Sequence, residues 1–511
     1  MRTFFFTMKK ITLSLFVLFG ILSCSDKKDT PAVIDESKDS VVVEEYIKQP
    51  LFTPIAQDFS SDSLIIPEGF KYDVLFTEGI DMVTRADGKS FPAKDDQDML
   101  AYIPIDGSSE HGYLYVSHET KYSNDDLGDG GGATIIEVKK ENGSWKNIGT
   151  NRHVDFSTVG GTIRNCGGAI APNGNILSCE EVWSKNTKHI YRNGMGFRDT
   201  SWYMGRPRWQ NFGFIVEIDP KTAKVVKKHY NLGKFLHEDV HPTKDGKTLY
   251  MTDDMNRAVF FKFEADVAHD YSKGKLFAYQ QSEDGESGKW LELPNDSTTF
   301  YYTRRVAIEN GATLFLNHEW IAESNGKLYI SESGDDDRNF DWKDEIKSGG
   351  KPAFHHKHVN PTTGKLDDPY GRILEFDMST NKMSVLINGG TFSDSSGNFA
   401  NPDCNTILEC KNGRFLVINE DLHAIDKGRV DAENLKKKLY YNEVFFLDLD
   451  IQNPTTDSLK RFAIGPKGSE TSGGVFTPDG NTYFLNIMHP NKSNKKPFDK
   501  SITIAITGFK N

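Results

Sequence analysis

Only five of the 511 residues are cysteine, and Lys and Arg together (61) are outnumbered by Asp and Glu (73), for a net charge of −12. An acidic chain of this kind excludes nucleic acid as a partner, because gripping a phosphate backbone requires clustered basic side chains. It is compatible with bound cations. Helical periodicity is scarce beyond the first fifty residues, which argues against a bundle or an α/β fold. Several catalytic signatures are also missing. There is no HExxH, no nucleophile elbow and no convincing Ser-His-Asp set. The glycine run GDGGGA (128–133) lacks the Lys-Ser/Thr of a phosphate loop and precedes a strand, so it reads as a turn. With these excluded, chemistry in this chain is expected to run through metal.

What is present begins with a targeting segment. Arg2, Lys9 and Lys10 flank the apolar run ITLSLFVLFGIL, which is too short to span a bilayer comfortably and ends in Ile21-Leu22-Ser23-Cys24. This ending resembles a lipobox, so residues 1–24 read as a lipoprotein-type signal with Cys24 as the lipidated residue. No twin-arginine pair precedes the run. Residues 25–64 read as a flexible tether, charged and poor in aromatics over much of their length. The expectation is an exported lipoprotein in the periplasm or at the outer membrane or cell surface, held by its lipid alone. Of the other cysteines, Cys179 reads as a buried structural thiol. A direct bond between Cys404 and Cys410 would need a bend in one strand.

From residue 65 to 511 the chain reads as a single all-β domain. Short β-branched and aromatic runs alternate with Gly, Asn, Asp and Pro, and a four-strand unit recurs about every 70–85 residues. Its second strands are GYLYVSHET, NILSCEEVW, KTLYMTDDM, KLYISESGD, RFLVINEDL and NTYFLNIMH. Such a sheet cannot bury both faces unless neighbours stack against it, so the unit is a blade of a six-bladed β-propeller. The last blade stops after its third strand. The segment FKYDVLF near residue 70 is expected to supply the fourth and lock the ring.

In a propeller the first strand of each blade lines the central channel. The repeat phase places Asp98, Cys166, Glu238, Glu319, Asp403 and Glu470 at those strand starts. Ionised and unpaired, such a ring would repel itself severely. The remedies are protonation, a basic partner such as Arg304 or Arg305, or metal. Carboxylates suit Ca²⁺, whereas the thiolate of Cys166 suits a transition ion, so a mixed site is expected. Acids also crowd the second-strand ends (Glu119, Glu180, Glu181, Asp253, Asp254, Glu332, Glu420, Asp421) and read mostly as solvated loops. The run SGDDDRNFDWKDE (333–345) and the histidines of HHKH (355–358) are weaker metal candidates.

EGFKYDVLF, GYLYVSHET, RNCGGAIAPNGNILSCEE, GKFLHEDV, YMTDD, HEWIAESNGKLYISES, NPDCN and ETSGGVFTPDGNTYFLNIMHP occur in that order. Together they resemble the landmarks of the PhoX-type alkaline phosphatases, over about residues 65–511. The resemblance implies hydrolysis of small phosphomonoesters outside the cytoplasm at two oxo-bridged Fe³⁺ ions with Ca²⁺ alongside, with Cys166, Glu238, Glu319, Asp403 and Glu470 as the metal ligands. It implies catalytic roles for Glu238, Glu319 and Asp403, and a monomer. The family's phosphate-contacting Arg is replaced here by Asn317, so Arg304, Arg305 and His318 join Asn317 as candidate phosphate contacts. Two other readings fit the residues: a Ca²⁺-dependent ester- or lactone-hydrolysing propeller, and a non-catalytic binding propeller, which the loss of that Arg favours.

Overall fold

The computed structural model describes residues 50–509 apart from 121–125, 129, 183–201, 335–342, 357–367, 369, 391–398 and 423–431. The signal segment with Cys24, the tether up to residue 49, most of the acidic loop after Gly334 and His358 lie outside the described residues. Six sheets of four or more strands, antiparallel but for one parallel pair at the edge of blade one, form the blades of a propeller. Their inner strands are Gln97–Pro104, Asn165–Ile170, His237–Pro242, His318–Ser324, Pro402–Cys410 and Glu470–Phe476 for blades one to six. The second strands are His111–His118, Ile176–Glu180, Thr248–Asp253, Lys327–Glu332, Gly413–Glu420 and Thr482–Met488. As the sequence implied, Lys71–Thr77 pairs antiparallel with the third strand of blade six, Ile502–Thr507, and completes it.

The blades are held by what lies between them. Alternate residues of a strand face opposite ways, and both faces here are apolar. In blade one Leu114 and Val116 pack toward Phe484 and Ala505 of blade six, while Tyr115 packs toward Ile176 and Val216 of blade two. Comparable clusters join the other neighbours, so a blade removed from the ring would expose both faces to water. Residues 50–64 were expected in the tether, but they dock. Leu51 and Phe52 pack beside Phe446 and Phe462, and Leu64 is buried in the same cluster. The Ile55 amide donates to the Arg461 carbonyl at 3.1 Å. The apolar side chains in this stretch are the reason, since leaving them in water would forfeit their burial.

One irregularity repeats through the ring. Gln97, Asn165, His237, His318 and Pro402 open the inner strands opposite His118, Glu180, Asp253, Glu332 and Glu420. Pairing then resumes three residues on along the inner strand but only two along its partner. Two residues thus oppose one, a β-bulge that re-aims side chains. The bulged pairs are Asp98-Met99, Cys166-Gly167, Glu238-Asp239, Glu319-Trp320 and Asp403-Cys404. Hydroxyls satisfy amides that the bulge orphans: Met99 N donates to Ser117 Oγ at 2.7 Å and Asp239 N to Thr252 Oγ1 at 3.0 Å. In blade six the same offset falls between Ser472 and Val475. The bulge there is Gly473-Gly474, and Glu470 lies three residues ahead of it. Gly473 has φ +69°, and a Cβ at that position would sit 2.0 Å from the Asp98 carbonyl oxygen, so no side chain fits.

If the N-terminal strand closes the ring, its fully buried Phe76, packed with Leu75, Val83 and Phe484, anchors blade six. Phe76→Ala is expected to cost about 3–5 kcal/mol in denaturant unfolding. A loss below about 1 kcal/mol would mean that the strand is not seated there.

Candidate metal centre at the channel mouth

The bulges turn five chemically distinctive side chains toward one place. The ligating atoms of Cys166, Glu181 and Glu238 lie within 4.8 Å of one another, as do those of Asp98, Glu119 and Cys166, and those of Glu238, Asp254 and Glu319. Cys166 and Glu238 each belong to two of these groups, so the three form one continuous cluster. A fourth group, Asp421, Glu470 and His489, draws on blades five and six. Of the sequence-derived ligands, Cys166, Glu238 and Glu319 are thus gathered. Glu470 stands with His489, whose Nε2 is 3.0 Å from its Oε2. Asp403 is buried with its pKa raised well above the usual range, by burial first and then by Asp421 and Asp98. It lies within the field of both halves of the cluster.

Half of the second-strand acids are part of this site. Each second strand ends in a residue turned into its blade, and the next residue turns to the channel. Glu119, Glu181, Asp254, Ser333 and Asp421 hold that second position, each donating its amide to the residue just before the inner strand: Asp96, Arg164, Leu236, Asn317 and Asn401. Their alternation with Glu180, Asp253, Glu332 and Glu420 could have separated the two sets from sequence, once the strand ends were known.

Neighbouring donors fix the ligands. Glu238 Oε1 accepts from Cys166 Sγ at 2.9 Å and from Trp320 Nε1 at 3.0 Å. Ser333 Oγ donates to Glu319, and Asn317 Nδ2 donates to Asp254 Oδ1 at 2.7 Å. Asp239, the second bulge residue of blade three, accepts from the Gly168, Val240 and Ile321 amides, each at 2.8 Å, and so ties blades two, three and four together. Its carboxyl is structural.

Four residues were expected at the phosphate. Asn317 is at the cluster, in a left-handed conformation (φ 51°). The structure puts the other three elsewhere. His318 alternates away from the channel, fully buried against the rings of Phe315 and Phe260, and presents no surface to a substrate. Arg304 is committed to the buried Asp253, Nε to Oδ2 at 3.0 Å. Arg305 lies on an exposed helix face 3.7 Å from Glu309. Among the described residues, Arg164 is a cation that does face the cluster at Cys166, and the sequence reading missed it. It occupies the position in blade two that Asn317 occupies in blade four, directly before the inner strand, with φ 44°. Its guanidinium bridges Glu119 and Glu181 and is still 28% exposed. The repeat phase was the signal that could have found it. Cys166, Cys179, Cys404 and Cys410 are all free thiols, and Cys179 is fully buried, as expected of a structural residue.

The electrostatics show what the cluster lacks. Burial raises Glu238 well above the ordinary carboxylate range, and Glu319, Asp403, Glu181 and Asp254 push it further. Burial and then Asp421, Asp403 and Asp98 do the same to Glu470. Burial, with Asp98 and Glu238, holds the Cys166 thiol protonated. Asp98 Oδ2 is buried with no hydrogen-bond partner. A thiol and several carboxylates crowded within ligating distance, with an orphaned oxygen among them, fit bound cations. Cys166 selects for a transition ion, and the all-oxygen groups suit Ca²⁺.

A pH dependence follows. With raised pKa values, Glu238, Asp403 and Glu470 keep in the folded state protons that the unfolded chain loses near pH 4, and Asp239, raised to about 7 by burial, adds to them. Their contribution is lost as pH rises through the folded values. Below about pH 6.5 buried histidines oppose this trend, since His118, His237 and His356 are lowered to about 3 by burial and stay neutral only when folded. Above pH 7 Lys234, lowered to about 7 by burial, and Lys438, also lowered by burial, work the other way. Chelated protein is expected to lose melting temperature from pH 7 to 9, and added Ca²⁺ and iron should flatten the curve. A melting temperature rising over that range in the chelated protein would contradict the assignment.

Comparison with one solved structure agrees with this architecture. The structure of Pseudomonas fluorescens PhoX in complex with vanadate, a transition state analogue, superposes with a TM-score of 0.67 at 21% identity, covering 89% of this chain and 98% of that one. Trypanosoma rangeli sialidase in complex with the inhibitor DANA gives a TM-score of 0.40 at 12% identity, over 87% of this chain and 60% of that one. The calcium structure of Trichoderma reesei Carbohydrate-Active Enzymes Family AA12 gives 0.41 at 10% identity, over 89% and 100%. No curated protein matches the sequence. The family model for alkaline phosphatase PhoX matches residues 142–491, well over half the chain and all but one of the inner strands; the chain therefore belongs to the PhoX family of alkaline phosphatases, which are phosphoric monoester hydrolases.

Proposed function

We propose that this chain is an exported, metal-dependent phosphomonoesterase whose site is the cluster at the channel mouth. The observation that carries the reading is the convergence of Cys166, Glu181, Glu238, Asp254 and Glu319 beside one partly exposed arginine, Arg164. Cys166, Glu238, Glu319, Asp403 and Glu470 would hold the cations, joined by Asp98, Glu119, Glu181, Asp254, Asp421 and His489. Iron at the thiolate and Ca²⁺ at the carboxylates are the ions that the donor chemistry favours. Bound there, they would neutralise the phosphoryl oxygens and make a water nucleophilic at neutral pH.

The chain's own groups do the positioning. Arg164 presents a planar fork of N–H donors at the cluster, a shape that matches two phosphate oxygens at once. Glu119 and Glu181 hold one terminal nitrogen of that fork. Trp320 Nε1 and the Ser333 hydroxyl fix Glu238 and Glu319, so the carboxylates need not reorganise during reaction. Asn317 cannot make a bidentate charged contact, but it orients Asp254. Arg164 thus takes over, from blade two, the phosphate contact that the loss of arginine at 317 removes from blade four. This arrangement favours a phosphatase over a non-catalytic binding propeller.

Export by a lipid anchor on Cys24 is part of the proposal, supported by the charged and apolar pattern of residues 2–24. The substrate would be a small phosphomonoester in the periplasm or at the cell surface.

The reading is tested with p-nitrophenyl phosphate. Glu238→Gln keeps the Trp320 hydrogen bond but removes the charge, and should lower kcat/KM by ~10²-fold or more while depleting bound metal. Arg164→Ala should lower kcat/KM by ~10²-fold with metal content retained. Wild-type turnover in metal-replete Glu238→Gln would refute the site. Unchanged kinetics in Arg164→Ala would refute the phosphate contact alone.

A further inference from the structure

A second cluster lies apart from the channel, on the other side of the second strand of blade four. Glu332 ends that strand with a fully buried side chain turned away from the channel. His356 Nε2 is 3.0 Å and His355 Nε2 3.2 Å from its Oε1, and His318 Nε2 is 3.6 Å from its Oε2. The ligating atoms of Glu332, His355 and His356 all fall within 4.8 Å of one another. His318 is fully buried and aimed at the same carboxylate, yet neither of its ring nitrogens has a hydrogen-bond partner.

The simplest account is a buried ion pair between Glu332 and Arg372, whose Nε is 3.3 Å from Oε1, with imidazoles donating around it. The charges do not close on that account. The same guanidinium also pairs with Asp368. Among the described residues, two carboxylates therefore share one cation, and three imidazoles crowd around one of them. A buried carboxylate that shares its cation, with imidazole nitrogens gathered at ligating distance around it, suits a further cation. Imidazole nitrogen is a poor ligand for Ca²⁺ and a good one for zinc-class ions.

We propose that Glu332, His355 and His356, with His318 as a fourth donor, form a second metal site for a divalent transition ion, distinct from the cluster at the channel mouth. The short turn Phe354–His356 would be fastened by this ion to the second strand of blade four. The role is structural, and the proposal does not depend on the phosphatase reading.

Cobalt(II) provides the probe. Full-length protein is stripped with chelator and titrated with Co²⁺, with uptake counted by elemental analysis and thiolate coordination followed by visible absorption. Wild type should take up one equivalent more than His355→Ala/His356→Ala, and the thiolate band from Cys166 should be the same in both. Equal uptake would overturn the site. Should the double variant not fold, His355→Ala serves, because its ring lies at the partly exposed edge of the cluster (13%). One equivalent should then bind at least ~10-fold more weakly, and unchanged affinity for every equivalent would overturn the proposal equally.

Discussion

Mutual repulsion among buried carboxylates is the constraint around which this molecule is organised. Two ionised carboxylates about 5 Å apart repel by roughly 3 kcal/mol at an effective dielectric of about 20, and the channel mouth brings many acids to about that separation. Removal from water adds a desolvation cost to each. No single loop could hold such a group together. The ring can, because each acid sits at the start of an inner strand or just beyond the end of a second strand, and those strands are locked between two neighbouring blades. The apolar faces shared by adjacent blades stabilise the fold, and the fold holds the charges where they would not otherwise stay.

The β-bulge converts that stability into a site. A regular inner strand would alternate its side chains between the two neighbouring blades. The extra residue breaks the alternation at one point and directs Asp98, Cys166, Glu238, Glu319 or Asp403 inward. The other bulge residue has separate work: Asp239 ties three blades through their amides, and Trp320 reaches back to Glu238. Blade six departs from the rule. Its bulge is a glycine pair pressed against the Asp98 carbonyl, and its acid, Glu470, comes from the strand's first residue and pairs with His489.

This division marks what could be read from the sequence. The blades were legible because strand and turn residues alternate strongly, and the closing strand because blade six was one strand short. Cys166, Glu238, Glu319 and Asp403 were legible because they share a repeat phase. The bulge leaves no compositional trace, so its consequences were hidden. His318 looked like a neighbour of the phosphate because it adjoins Glu319, but it faces the opposite way. Glu119, Glu181 and Asp254 looked like solvated loop acids because the turn of the chain after each second strand is set by a hydrogen bond to the residue before its own blade's inner strand. Arg164 was overlooked because its value lies in being opposite Glu119 and Glu181, a relation between strands far apart in the sequence. The docking of residues 50–64 depends likewise on a groove formed by blades five and six.

The central claim is that the buried acids and Cys166 hold protons until cations displace them. Calorimetry of Ca²⁺ and iron binding to chelated protein, repeated at one pH in buffers of different ionisation enthalpy, counts the protons released. Release of more than one proton per protein near pH 7 is the result this account predicts. Metal binding with no proton release would contradict it, because the acids would then already be ionised and the cluster would not be the strained, cation-requiring site described here.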